Sequence, residues 1–209
     1  MGAVSEWILG LDCATAWLSL ALFDADGDAV ERSAERLDRA MAGRLMPELA
    51  AFLERHGVRR EDLSAIGVGV GPGSYTGIRI GVAAALGLGR SLGVPVAGSS
   101  TLEAIAFGAL DDGETGWALV DARRGRVHAL VATRLGRDQL GPVATPAGPA
   151  TAATSRPLPA AAATALMPLI VEREALPADG WPRFEDLPPD ASWHARRVTG
   201  GAPPEPRYG

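Results

Sequence analysis

The run VGVGPGSYTGIRIGVAAALGLG, from Val68 to Gly89, leaves few folds open to this chain. The segment leading into it, Ala65 to Val70, is short, apolar and rich in β-branched residues, which predicts a buried strand. Gly71, Pro72 and Gly73 then supply a sharp turn: proline fixes its own φ, and glycine takes backbone angles closed to other residues. Ser74 or Thr76 can cap a helix that starts near Gly77 by accepting an orphan backbone N–H. Strand, tight loop and helix follow one another within a few residues.

Three common chemistries are excluded by spacing. A phosphate-binding P-loop needs a lysine after its second glycine, and all 20 basic residues of this chain are arginine. The dinucleotide fingerprint GxGxxG fails because Thr76 stands where its third glycine belongs. A nucleophile elbow, GxSxG, needs glycines at the positions of Pro72 and Thr76, and Ser74 has no base near it in sequence.

The helix itself carries a bare face. Gly77, Gly81, Ala85 and Gly89 recur every fourth residue, and Ala84 and Leu88 widen the stripe. A glycine inside a helix costs about 1 kcal/mol relative to alanine. Keeping Gly81 and Gly87 therefore calls for another backbone at close range, either the chain's own sheet or a second subunit.

The 209 residues, 47% of them hydrophobic, suffice for one compact unit or two small lobes. A net charge of −5 argues against a broad nucleic-acid-binding surface. The single cysteine, Cys13, cannot form an internal disulfide and is expected to be a small buried residue. No secretory signal is evident and the glycine-rich helix is too short for a bilayer, so the expected location is the cytoplasm. His56, His128 and His194 are far apart without zinc-protease spacing; each is expected to be structural or exposed.

Along the chain, Trp7–Leu11, Trp17–Phe23 and Ala29–Ala34 predict three hairpin-linked strands, with Asp12 in the first turn. Leu37, Met41, Leu45, Leu49 and Phe52 or Leu53 form one stripe of a helix over Leu37–His56, which Pro47 should kink and Gly57 should end. Val94–Ala97 predicts a strand, and Ser100 with Glu103 a capped helix. Trp117–Ala122 and Arg126–Thr133 repeat the strand–turn–strand of the opening, with Asp121 at the turn. This implies two related lobes, 1–106 and 107–209. The Ala/Pro-rich stretch 141–167 allows a short helix at Ala160–Leu166, followed by a strand at Leu169–Val171; the tail from Pro182 to Pro206 offers little regular structure. Asp12 and Asp121 can together address a Mg–nucleotide if the two hairpins share a cleft. Arg123, Arg124 and Arg126 are expected to be solvated turn charges.

The segments LGLDCATAWLSLALF, VGVGPGSYTGIRIGVAAALGLG, GSSTLEAIA and VDARRGRVHALV, in that order, resemble the bacterial TsaB family, the dimerisation subunit of tRNA threonylcarbamoyladenosine synthesis. The resemblance covers about the first two-thirds of the chain. It implies an α/β fold of the two-lobed ASKHA type (actin, Hsp70 and sugar kinases), each lobe a mixed sheet with helices. It also implies a non-catalytic scaffold that pairs with a TsaD-type transferase, joined by a TsaE-type ATPase, and meets tRNA only through the complex. On this basis Leu37, Met41, Leu45, Gly77, Gly81, Ala84, Ala85 and Leu88 are expected to form the protein interface, so that Gly81→Leu would block the partner. Asp12, Gly71, Gly73, Ser74 and Asp121 would be a vestigial nucleotide-contacting set. No metal or cofactor of its own is expected: ATP and Mg would belong to the partner or to a shared interface. The alternatives are an ASKHA ATPase or phosphotransferase using Asp12 and Asp121, and, less favoured, a glycoprotease. The same helices could also pair in a homodimer when the partner is absent.

Overall fold

The computed structural model describes residues 7–24, 30–136, 139–141, 169–176, 180 and 182–198. A first sheet is built from β1 (Trp7–Asp12), β2 (Trp17–Asp24), β3 (Val30–Arg36), β4 (Leu63–Gly69) and β5 (Val96–Ser99), in the order β3-β2-β1-β4-β5. The hairpin pairs β1–β2 and β2–β3 are antiparallel, whereas β4 and β5 join parallel to β1. This makes the sheet mixed, with the carboxyl ends of β1, β4 and β5 side by side.

Strand alternation assigns each face its own cover. Leu9 and Leu11 of β1, Leu18, Leu20 and Leu22 of β2, and Ile66 and Val68 of β4 pack against α1 (Met41–Arg55) and α2 (Tyr75–Leu92). Within α1 the buried residues are Met41, Leu45, Leu49, Phe52 and Leu53, the stripe expected from the sequence. Each such side chain contributes about 1.5–3 kcal/mol when fully buried. The helix begins later than its stripe suggested: Asp38–Ala40 form a 3-10 turn before it. Pro47 lies on its exposed side, inside a continuous helix. Ser74 caps α2, its Oγ accepting from the Gly77 N–H at 3.3 Å, and Gly93, at φ 70°, ends it in the left-handed conformation.

The second sheet contains β6 (Thr115–Asp121), β7 (Arg126–Arg134), β8 (Leu140–Gly141), β9 (Leu169–Glu172) and β10 (Arg183–Glu185). Its order is β10-β6-β7-β8, with β9 also pairing with β7. α3 (Thr101–Ala109) covers one face, where Leu102, Ile105 and Ala106 meet Ala118, Leu130 and Ala132. The two mixed sheets with their helices agree with the two-lobed α/β expectation.

The division expected at residue 106 falls within α3. α3 packs on the second sheet because its apolar residues match β6 and β7, and α4 (Ala191–Arg196) returns to the first. The tail also departs from expectation, since 182–198 contains both β10 and α4. Asp190 caps α4 through the Ser192 N–H at 3.0 Å. The helix expected at Ala160–Leu166 lies outside the described residues. Among the described residues, no helix is long and apolar enough to cross a membrane.

Candidate functional site

The face of the first sheet opposite α1 and α2 carries Gly10 and Asp12 of β1 and Gly67 and Gly69 of β4, and it ends in a buried polar cluster. Asp12 is 0% exposed. Its Oδ1 accepts the Ala14 N–H at 2.7 Å, closing the turn between β1 and β2. Its Oδ2 accepts the Thr101 hydroxyl at 2.7 Å and lies 2.8 Å from His194 Nε2. Thr101 in turn accepts the Gly71 N–H at 3.1 Å and donates its own N–H to the Gly71 carbonyl at 2.9 Å. A Cβ at Gly69 would collide with the Asp12 carboxylate, which is why a glycine stands there.

The expected vestigial set is therefore only partly assembled. Asp12 and Gly71 share Thr101, while Gly73 and Ser74 pack on the neighbouring turn: the Ser74 N–H donates to the Ala14 carbonyl at 2.6 Å, and a Cβ at Gly73 would run into that carbonyl. Asp121 does not join them. It is exposed at the β6–β7 turn, accepts the Arg123 N–H at 3.1 Å, and acts electrostatically on His128 and Arg173. Among the described residues the two aspartates share no partner, and Asp12 has its own from near the far end of the sequence.

That partner, His194, is not marked as a site residue by any pattern in the sequence. It is also 0% exposed, and its Nδ1 lies 2.7 Å from Ser99 Oγ. The available signal is Asp190 following Pro188 and Pro189, a cap placed before ASWHA. Cys13, next to Asp12, is an inert buried thiol as expected: it donates to the Gly77 carbonyl at 3.2 Å, and burial first, then the Asp12 charge, push its pKa well up. His128 is buried in β7, and desolvation holds its pKa below the ordinary value. Among the described residues no group of three or more His, Cys, Asp or Glu is placed to hold a metal ion.

The expected interface residues turn inward. Leu37, Met41, Leu45, Gly77, Gly81, Ala85 and Leu88 are buried within the chain, and Ala84 is half-buried. The bare face of α2 serves close packing on the chain's own first turn: a Cβ at Gly77 would strike the Cys13 carbonyl, and one at Gly81 would lie 2.6 Å from Cys13 Sγ. Gly81→Leu would thus damage the chain itself, whatever it did to a partner. The outer side of the same helices is different. Among the described residues, a Cβ at Gly43 of α1 or at Gly87 of α2 would meet nothing within 4 Å, and Met46 and Leu86 beside them are 49% and 45% exposed. Leu86 and Gly87 also line an open depression with Arg90, Gly93, Val94 and Val96.

Residues 34–159 match the family model described as TsaD, tRNA N6-adenosine threonylcarbamoyltransferase. The chain is similar to the tRNA threonylcarbamoyladenosine biosynthesis protein TsaB of Escherichia coli, at 39% identity over 58% of this chain and 52% of that protein. It is similar to the Bacillus subtilis protein of the same name at 38% identity, over 58% and 52%. The chain thus spans about half the length of the curated relatives it matches. Among solved structures, YeaZ from Pseudomonas aeruginosa superposes with a TM-score of 0.72 at 24% identity, covering 98% of this chain and all of that one. A likeness at that identity concerns the fold.

Proposed function

The chain belongs to the family described by the TsaD threonylcarbamoyltransferase model, among relatives named TsaB, and from that membership we propose that it serves tRNA threonylcarbamoyladenosine biosynthesis as a non-catalytic subunit. In this role it binds and activates a TsaD-type transferase, which carries out the chemistry. The observation that carries the proposal is the family match over residues 34–159, more than half of the chain, together with the names of its curated relatives. Support for the non-catalytic part comes from Asp12, whose carboxylate is engaged by Ala14, Thr101 and His194. An ATPase of this fold would need that carboxylate free for a Mg–nucleotide.

The proposed docking face is the outer side of α1 and α2, presented by Gly43, Met46, Leu86 and Gly87. Helix interiors keep glycine at a cost, and among the described residues nothing lies within 4 Å of where a Cβ would stand at either of these two. On this proposal ATP and Mg belong to the partner or to a shared interface, a TsaE-type ATPase joins the assembly, and tRNA is met only in the complex. The location is the cytoplasm, and the chain alone pairs with itself through the same face.

Mixing the purified chain with the TsaD-type transferase of the same organism, followed by light scattering, tests the pairing: a heterodimer is expected. Gly87→Leu, which meets open space within the chain, should leave it folded and abolish that heterodimer. An unaffected complex moves the interface elsewhere. ATP hydrolysis or threonylcarbamoyl transfer by the chain alone would overturn the non-catalytic role.

A further inference from the structure

The segment 182–198 crosses from one sheet to the other. β10 pairs with β6, and after residues 186–190 the chain lies as α4 on β1, β2, β4 and β5. α4 also grips the other half: the Trp193 ring centroid sits 5.1 Å from that of Phe107 in α3, and Trp193 Nε1 donates to Glu103 Oε2 at 3.1 Å. One short helix is therefore held by both lobes.

Its seat on the first sheet is a glycine floor. A Cβ at Gly10 would overlap the Ala191 carbonyl, and one at Gly67 would overlap the His194 carbonyl. Such a floor allows backbone-to-backbone approach but offers few side chains to interdigitate. Apolar packing alone is then a weak guide to where a six-residue helix rests.

His194 supplies the missing specification. Asp12 already accepts from Ala14 at Oδ1 and from Thr101 at Oδ2; His194 Nε2 lies 2.8 Å from the same Oδ2, and His194 Nδ1 lies 2.7 Å from the Ser99 hydroxyl. One hydrogen-bonded path joins Ser99 through His194 to Asp12, and a second runs from Gly71 through Thr101 to the same carboxylate. With His194 at 0% exposure, both ring nitrogens are engaged inside the protein, by Ser99 and by Asp12. The arrangement is a structural relay, not a hydrolytic triad.

We propose that this Ser99–His194–Asp12 relay is the key of an interlobe clasp: it seats α4, α4 holds the two lobes together, and the clasp opens as a unit while both sheets remain folded. The outer ties of the segment are the exposed ion pair of Arg36 with Asp186 at 2.5 Å, which contributes little in solvent, and the half-exposed pair of Arg32 with Asp190 at 3.3 Å. Resistance to opening resides in the buried relay and in the apolar seat of Trp193. The proposal concerns the chain alone and does not rest on the threonylcarbamoyl role.

Native-state hydrogen exchange of the full chain, read by mass spectrometry, tests it. In the wild type, amides of 190–197 should exchange about tenfold faster or more than those of the β1–β4 and β6–β7 ladders, the mark of sub-global opening. His194→Ala should speed 190–197 by a further factor of about ten and leave β6–β7 unchanged. His194→Gln, whose amide can still donate to Asp12, should recover much of that loss, and Arg36→Ala should do nothing. Equal protection of 190–197 and both ladders in the wild type overturns the proposal. So does uniform acceleration of every segment in His194→Ala. Should that variant fail to fold, Ser99→Ala decides: faster exchange confined to 190–197 supports the clasp, and an unchanged profile overturns it.

Discussion

Asp12 and His194 are 182 positions apart in the chain and 2.8 Å apart in the fold, each with no exposed surface. A buried carboxylate needs partners for its oxygens, and here they come from β1's own turn, from α3 and from α4. Thr101 is the partner easiest to remove without changing volume. Thr101→Val leaves the Gly71 N–H and part of the Asp12 carboxylate unpaired, and should cost about 1–3 kcal/mol. Urea unfolding checks this: the midpoint should fall with the slope unchanged.

Two glycines of one helix should respond oppositely to alanine. At Gly81 the new methyl would lie 2.6 Å from Cys13 Sγ, and displacing that packed thiol should destabilise by about 1–3 kcal/mol. At Gly87 it meets open space, so the gain in helix propensity, about 1 kcal/mol, should appear as added stability. Thermal unfolding of the two variants should therefore bracket the wild type.

His128 makes stability depend on pH. Burial is the main cause of its lowered pKa; Arg126 adds to it and Asp121 opposes it. The unfolded chain then binds a proton that the folded chain resists. Stability from this group is complete above the ordinary histidine value of 6.5 and is lost as pH falls through the lower folded value. His128→Gln should flatten that part of the stability profile, measured as the difference between variant and wild type from pH 7 downward.

Ser19 offers a gain. It lies opposite Asp12 in the β1–β2 register, is 2% exposed, and its hydroxyl has no hydrogen-bond partner among the described residues. Ser19→Ala removes that uncompensated hydroxyl and should be neutral or stabilising by up to about 1 kcal/mol. A loss of more than that in chemical denaturation would mean that the hydroxyl is satisfied in solution.

Local signals are enough for much of the first half. The apolar alternation of Trp7–Leu11 and Trp17–Phe23, the stripe from Met41 to Leu53 and the caps at Ser74 and Ser100 each act within a few residues, and the structure contains them. The direction in which α2 turns its glycines is not legible. A helix that approaches its own chain closely and one that approaches another subunit leave the same four-residue spacing, and what distinguishes them is the Cys13 carbonyl above Gly77 and the Cys13 sulfur above Gly81. α4 escapes for another reason: six residues are too few for a hydrophobic period to register, and the prolines before it suggest a loop. The pairing of His194 with Asp12 depends on a chain reversal that no local pattern encodes.

The glycine floor beneath α4 also sets an order of events during synthesis. While the chain emerges from the ribosome, β1, β2, β4 and β5 can pair and receive α1 and α2 on one side, yet among the described residues the cover of the opposite side around Gly10 and Gly67 comes from 191–198, which are made later. The nascent first lobe thus carries an open sheet face through the translation of the whole second lobe, a window in which chaperone contact or mispairing would concentrate there.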